Sequence, residues 1–157
     1  MKLKDFEIVE FLNGKKAGLY MIRFEGELLS ETEKFFEKYV DILSENIDNL
    51  FLILNNIADR YGCDTNFFRF ERANQIYKLR EASLRLYCIR LSNSVSIFGG
   101  GGIKDKRTTQ EIDELEMHVQ TLIAVEKLLD KRFSDDDSFM ICNNSIKGKL
   151  KFSFNNS

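Results

Sequence analysis

The residues best suited to meet an anion lie in one segment, between Phe67 and Arg107. This segment holds nine lysines and arginines but three acids, so it carries a charge of +6 in a chain whose total is −2. Its cations are Arg69, Arg72, Lys78, Arg80, Arg85, Arg90, Lys104, Lys106 and Arg107. Guanidinium and ammonium groups both hold phosphates, so this asymmetry predicts a surface that meets polyanions.

An alternating pattern inside the segment predicts how its side chains are placed. Leu84, Leu86 and Cys88 alternate with Arg85 and Tyr87, as in a strand that buries one face. We therefore expect the three apolar residues to be buried, and Arg85 and Tyr87 to share an open face. On such a face the Tyr87 ring would be able to stack on a base.

The cations after the next predicted strand are expected to extend this face. Lys104, Lys106 and Arg107 should lie near Arg85 and complete one continuous positive patch. A second interpretation is a solvated edge strand, on which Lys and Arg discourage aggregation.

Four consecutive glycines, Gly99–Gly102, precede these last cations. Bare backbone amides can approach a phosphate, but a P-loop needs GxxxxGK followed by Ser or Thr, and GGGGIKDKR lacks that order. The run instead favours a strand that a helix or another strand approaches closely, or a bulge. We expect no nucleotide cofactor.

Other side chains offer little chemistry. His118, the single histidine, lies between Leu115 and Leu122 on a predicted helix, where packing is the simpler role, and no catalytic triad motif includes it. The three cysteines are far apart and lack metal-ligand spacing, so we expect no metal, no other cofactor and a reducing, cytoplasmic setting. The first residues lack the apolar core of a signal peptide, and no apolar run is long enough to cross a membrane.

The N-terminal half predicts a hairpin followed by helices. Phe6 to Phe24 has strand character on both sides of Asn13-Gly14, a pair suited to a turn with positive φ. Ser30 and Glu33 form a capping-box motif at the start of a long helical stretch. Its two apolar series predict two packed helices, or one helix kinked near Ser44 to Asp48, ending at Gly62.

The C-terminal half predicts strands, one helix and further strands. After Asp64 the pattern favours extended chain with an irregular middle, and Ser92–Ser94 is the expected turn into the strand before the glycines. A second capping-box motif at Thr108 begins a helix that runs to Arg132. Two short strands, FMI and LKFSF, are expected after residue 137.

The expected fold is therefore α+β, with an antiparallel sheet covered by a helical hairpin and a later helix, and with an N-terminal β-hairpin. We expect a single domain, 1–157. Within it, residues 1–29 form the hairpin, 30–132 the core and 133–157 a C-terminal extension.

The order of helical segment, KLR at 78–80, RLYCIR at 85–90, IKDK at 103–106 and helix resembles the RelE/ParE/HigB-like toxin superfamily over about residues 42–132. RelE- and HigB-like members imply ribosome-dependent mRNA cleavage without a metal, and ParE-like members imply gyrase inhibition. The implied partners are a cognate antitoxin and mRNA on the ribosome.

The resemblance also implies roles for eight residues. Those of the catalytic group would hold the reacting phosphate, position a base or move a proton: Lys78, Arg85, Tyr87 and Lys104. Those of the second group would bind RNA phosphates: Arg80, Arg90, Lys106 and Arg107. Two alternatives stay open, a non-catalytic protein whose basic sheet face binds an acidic protein partner and a relative that has lost toxicity.

Overall fold

The structure, a computed structural model, describes residues 3–105 and 109–154 as three helices, one seven-stranded sheet and one two-stranded sheet. The elements in chain order are β1 (Phe6–Asn13), β2 (Gly18–Phe24), α1 (Glu31–Tyr39), α2 (Ser44–Asn56), β3 (Arg69–Arg72), β4 (Ile76–Glu81), β5 (Leu84–Arg90), β6 (Val95–Ile103), α3 (Thr109–Asp135), β7 (Met140–Cys142), β8 (Ser145–Lys147) and β9 (Lys151–Phe152). A π-helical turn, Ile57–Tyr61, continues α2. The predicted α+β class is confirmed.

The large sheet has the strand order β3-β4-β5-β6-β2-β1-β9. Five of its six pairings are antiparallel, and the central pairing of β2 with β6 is parallel, with Gly18 opposite Val95. The sheet is therefore mixed. Its parallel pair joins the N-terminal hairpin to the β3–β6 meander.

The N-terminal hairpin is present, but its turn differs from the expected one. Gly14 does not adopt a positive φ. Instead, a Cβ on Gly14 would overlap the carbonyl of Ala58 in the π-helical turn. The same carbonyl accepts the backbone N–H groups of Lys16 and Ala17 at 2.8 and 3.0 Å. Glycine is needed here because the loop is pressed against the end of α2.

The helical stretch divides into two helices, the first of the two predicted arrangements. Ser30 Oγ accepts the N–H of Glu33 at 3.0 Å, and the Glu33 carboxylate accepts the N–H of Ser30 at 2.9 Å, so the capping box is confirmed. Gly62 ends the π-helical turn with a φ of 71°. The second capping-box motif begins at Thr108, outside the described residues.

Helices cover both faces of the large sheet. On one face α1 and α2 pack against Leu79, Leu84, Leu86, Cys88 and Phe98. On the other face, α3 packs against the side chains that alternate with these along the strands, which are Tyr20, Ile22, Ile76, Tyr87, Ile89 and Ile97. Burial of Leu84, Leu86 and Cys88 is therefore confirmed, while the expected open face beside them is wrong.

Tyr87 shows the correction most clearly. The ring is only 4% exposed because α3 lies over it. Burial raises its pKa to about 12, with a further contribution from the nearby carboxylate of Glu71. The phenol is therefore neutral at physiological pH and has no free ring face for stacking on a base.

The glycine run lets α3 approach β6 closely, as predicted. A Cβ on Gly100 would lie 2.5 Å from His118 Nδ1, and one on Gly99 would lie 2.9 Å from Leu122 Cδ2. A Cβ on Gly101 would overlap the backbone carbonyl oxygen of Arg85 on the adjacent strand. The β5–β6 register also shifts here, so the run combines close approach with a bulge.

The first strand and the last three strands are integrated into these layers. β9 pairs with β1, where the Phe6 and Phe152 rings stack at 5.0 Å. β7 and β8 form a separate hairpin, and Tyr20 Oη accepts the N–H of Ile146 at 3.0 Å. Within residues 3–105 and 109–154, no helix is long and apolar enough to span a bilayer.

Candidate functional site

A basic pocket of about 430 Å³ lies at the outer edge of β4. β3 begins with Arg69 opposite Lys78, so after Lys78 no described strand pairs with the outer side of β4, while β5 pairs with its inner side. The pocket occupies this edge. We call it the arginine pocket, and its lining consists of Ile53, Asn66, Phe67, Arg69, Leu79, Arg80, Ala82 and Arg85.

Three arginines and no acidic residue belong to this lining. Arg80 and Arg85 are directly opposite each other on β4 and β5, so their side chains lie on the same side of the sheet. Arg69 and Arg80 are exposed and form no ion pair with any described residue. The pocket therefore concentrates positive charge of a kind suited to a phosphate or carboxylate.

Arg85 is held in place by the β4–β5 turn. Its Nη1 donates to the carbonyl oxygens of Ala82 and Leu84 at 2.7 and 2.8 Å. Ala82 has a φ of 53°, a strained conformation for a residue with a Cβ, so these bonds stabilise an unfavourable turn. The guanidinium thus has a fixed position before any ligand arrives.

The same guanidinium has an unsatisfied donor. Arg85 Nε is buried, and no acceptor among the described residues lies within hydrogen-bonding distance. Burial, followed by the positive charge of Arg80, lowers the pKa of Arg85 below its usual value. Both effects represent a cost of the unliganded state that an anion in the pocket would reduce.

Two other predicted residues are placed beside this site but are already occupied. Lys78 is opposite Tyr87 in the β4–β5 register. Its side chain is 15% exposed, and its Nζ donates to Glu71 Oε1 at 2.8 Å. Tyr87 is buried beneath α3, as described above. Neither side chain is free to contact a polymer on the surface.

Two acidic residues, Glu71 and Glu116, neutralise part of the predicted positive charge. Arg72 makes two bonds of 2.7 Å to the Glu116 carboxylate of α3, and a longer contact to Glu71. The Glu116 carboxylate raises the pKa of Arg72, and the Arg72 guanidinium lowers the pKa of Glu116. At Glu71, burial acts to raise the pKa, but the cations of Lys78 and then Arg72 together lower it. The bidentate pair of Arg72 and Glu116 fixes α3 to the bulged edge strand β3.

Arg90 belongs to a different part of the molecule. It lies five residues after Arg85 on the same strand, roughly 17 Å away at the usual strand rise. Its Nε donates to the Cys63 carbonyl at 2.7 Å, and its Nη2 donates to Asn93 Oδ1. The Arg90 side chain therefore tethers the β5–β6 turn to the end of the helical hairpin.

The last three predicted cations contribute less to the described site. Lys104 is exposed, and its backbone N–H donates to Ser83 in the β4–β5 turn at 2.7 Å. Lys106 and Arg107 lie outside the described residues. Of the eight predicted residues, the structure brings Arg80 and Arg85 together in one pocket and places Lys104 next to the same turn.

The pocket also contains residues that the sequence analysis did not select. Arg69 was part of the charged segment, but nothing in the pattern placed it beside Arg80. Ile53 and Phe67 form an apolar wall, and the Phe67 ring lies 5.1 Å from that of Tyr61. The lining thus includes residues from three separate parts of the chain, which are α2, β4 and the loop that precedes β3. No single stretch of sequence therefore predicts the pocket.

His118 has a packing role, as expected. It lies against Gly100, and burial lowers its pKa, although the carboxylates of Glu31 and Glu114 oppose this shift. Across the described residues, no group of three or more His, Cys, Asp or Glu side chains is arranged to hold a metal ion.

A larger cleft of about 880 Å³ lies at the far end of the molecule, between β1, β2, β9 and the end of α3. Six acidic and five basic residues line it, and two of the basic residues are already engaged. Arg23 pairs with Glu7 at 2.8 Å, and Arg132 donates to two backbone carbonyls while lying 3.7 Å from the Phe152 ring centre. The arginine pocket is therefore the better candidate for a charged ligand, although it is smaller.

Comparison of the chain with protein-family models, with curated proteins and with solved structures found no match. The resemblance to the RelE/ParE/HigB-like superfamily therefore stays a prediction. The functional argument depends on the geometry of the arginine pocket.

Proposed function

We propose that this protein binds RNA through phosphate contacts in the arginine pocket, and that it acts as a toxin of a type II toxin–antitoxin system. The observation that carries the proposal is the convergence of Arg69, Arg80 and Arg85 on one pocket without an acid. Guanidinium groups suit phosphate because their donors form a planar fork that can engage two oxygens.

The contribution of each arginine follows from its contacts. Arg85 is fixed by the turn carbonyls and provides a preorganised donor. Arg69 and Arg80 are exposed and adjust to the backbone of the bound strand. An extended single strand would continue from the pocket past Lys104, which adds a further cation near the same turn.

The proposed reaction is ribosome-dependent cleavage of mRNA in the cytoplasm. The 2′-hydroxyl oxygen bonds to the adjacent phosphorus and loses its proton to water, while the P–O5′ bond breaks and the 5′ oxygen takes a proton from water. The products are a 2′,3′-cyclic phosphate and a 5′-hydroxyl, and the arginines stabilise the charge that develops on the phosphate. Tyr87 does not act as the base, since it is buried with a pKa of about 12. Lys78 is engaged in the ion pair with Glu71, so activation depends on substrate geometry and the ribosome.

The second candidate is a non-catalytic protein that binds an acidic protein partner. Exposed aromatic residues beside the pocket favour it, because Tyr61 is 53% and Phe70 is 57% exposed. Aromatic residues and arginine are enriched at protein interfaces. The same arginines would then pair with carboxylates of the partner.

Expression in bacterial cells that lack a cognate antitoxin separates the two candidates. Wild-type protein is expected to slow growth and to shorten messages that are being translated. The Arg69→Gln/Arg80→Gln variant should do neither, while Lys147→Gln, which removes an exposed cation on β8, should behave as wild type. Intact messages with wild-type protein present would remove the ribonuclease proposal. Binding of a purified RNA single strand, if retained, would then define a non-cleaving RNA-binding protein.

A further inference from the structure

The arginine pocket has two chemically different halves. Arg69, Arg80 and Arg85 supply cations at the outer edge of β4. Ile53 of α2, Phe67 and Leu79 supply an apolar wall from the α1/α2 face of the sheet, so the pocket extends around the open edge of β4. A bare phosphate would use the first half and leave the second half empty.

The size of the pocket agrees with an occupant larger than phosphate. At about 430 Å³ it falls within the range of small-ligand sites, which runs from roughly 300 to 1,000 Å³. Asn66 is exposed at the same wall and offers an amide, which can both donate and accept hydrogen bonds. This combination of cation, apolar surface and amide matches the phosphate, base plane and base edge of a nucleotide.

We propose that the arginine pocket takes one unstacked ribonucleotide of a single strand, with its phosphate at the three arginines and its base against Phe67. The proposal rests on the RNA-binding function and specifies how the strand is engaged. Phe67 is half-buried, and its contact with Tyr61 orients the ring. The remaining exposed surface is therefore an ordered platform for a base.

The electrostatics of the pocket support the phosphate half independently. Arg80 and Arg85 lie opposite each other and repel, and Arg85 Nε has no acceptor among the described groups. An anion between them would reverse the repulsion and give the buried donor a partner. The apolar half then adds affinity only if the ligand carries a base.

Titration of the full chain with adenosine monophosphate, adenosine and inorganic phosphate, followed by NMR or calorimetry, tests the proposal. The monophosphate should bind at least about five-fold more tightly than phosphate, since base stacking contributes that much or more. It should also bind more tightly than the nucleoside, which lacks the phosphate that the arginines hold. Arg80→Gln should weaken binding of both phosphate-bearing ligands. Phe67→Leu should weaken the two ligands that carry a base, leaving phosphate affinity unchanged within about two-fold. Equal affinities for monophosphate and phosphate in wild type would overturn the proposal.

Three further measurements keep this test separate from the RNA proposal. Lys147→Gln should leave all three affinities unchanged, and circular dichroism should show that Phe67→Leu is folded. If Phe67→Leu is unfolded, Asn66→Ala replaces it, and an unchanged monophosphate affinity in that variant counts against a base in the pocket. If RNA binds through Arg80 but the monophosphate gains nothing over phosphate, the nucleotide pocket fails while RNA binding stands. If the monophosphate binds as expected and RNA does not bind, the nucleotide pocket stands while the RNA-binding function fails.

Discussion

Replacement of Arg80 by Gln should stabilise the unliganded protein. Arg80 lies opposite Arg85, and it has no ion pair in the described chain to lose. Like charges directly across a strand pair destabilise by roughly 0.2–1 kcal/mol, so Arg80→Gln should raise the free energy of unfolding by that amount. For a domain of this size, the melting temperature would rise by at most about 4 °C.

The same substitution should weaken stabilisation by an anion. A ligand at 100 times its dissociation constant adds about 2.7 kcal/mol to the stability of the protein that binds it. Thermal melts of wild type and Arg80→Gln at low ionic strength, with and without a short RNA single strand, measure both effects. Arg80→Gln should melt higher than wild type without RNA and gain less when RNA is added.

Lys147→Gln is the matched control because it removes an exposed cation from β8, away from the pocket. It should change neither the melting temperature nor the response to RNA beyond the usual surface effect of about 0.5 kcal/mol. A lower melting temperature for Arg80→Gln without ligand would show that Arg80 is stabilising. If RNA raises the melting temperature of Arg80→Gln as much as that of wild type, the repulsion between Arg80 and Arg85 has no link to RNA binding.

Two further predictions concern the glycine run of β6 and the histidine of α3 that packs against it. Gly101→Ala should lower the free energy of unfolding by about 3 kcal/mol or more in chemical denaturation, because the added Cβ would meet the backbone of β5. Gly102→Ala is the control, and it should lower the free energy of unfolding by about 1 kcal/mol or less, because its Cβ would lie 3.2 Å from Leu115 Cδ2 at the end of a side chain that can move. Because the folded-state pKa of His118 is lowered, stability should fall as pH drops below 6.5, by at most about 1.4 kcal/mol per pH unit. His118→Gln should flatten this part of the pH profile, and an unchanged profile would exclude His118 as its source.

Local signals in the sequence predicted the elements well. The hydroxyl and carboxylate of Ser30 and Glu33 are three residues apart, so the start of α1 needs no tertiary information. The alternation in β5 likewise determines that Leu86 and Cys88 share one face. Such signals depend on neighbours within a few residues.

Local signals could not predict that α3 covers the second face of the sheet. Alternation assigns Tyr87 to one side of the sheet but does not say whether another element lies there. That depends on α3, which follows β5 by 18 residues and packs through close approach at Gly100. The bidentate contact of Arg72 with Glu116 spans 44 residues, so charge counting overestimated the free positive charge.

The arginine pocket was predicted in part. Arg80 and Arg85 were chosen from charge and strand pattern, and a tight β4–β5 turn makes them cross-strand neighbours. Arg69 and Phe67 lie in the pocket only because β3 pairs with part of β4 and leaves the rest of the outer edge of β4 open. The parallel pairing of β2 with β6 is similarly non-local and has no signature in either strand.

The salt dependence of RNA binding tests the central claim most directly. Each phosphate neutralised on a single strand contributes about −0.7 to the slope of log affinity against log salt concentration. Wild type, with one phosphate held by the three arginines and a second near Lys104, should give a slope of about −1.4 in fluorescence anisotropy, and Arg69→Gln/Arg80→Gln should reduce its magnitude by about 0.7. The same slope in wild type and the double variant would show that RNA does not bind at the arginine pocket.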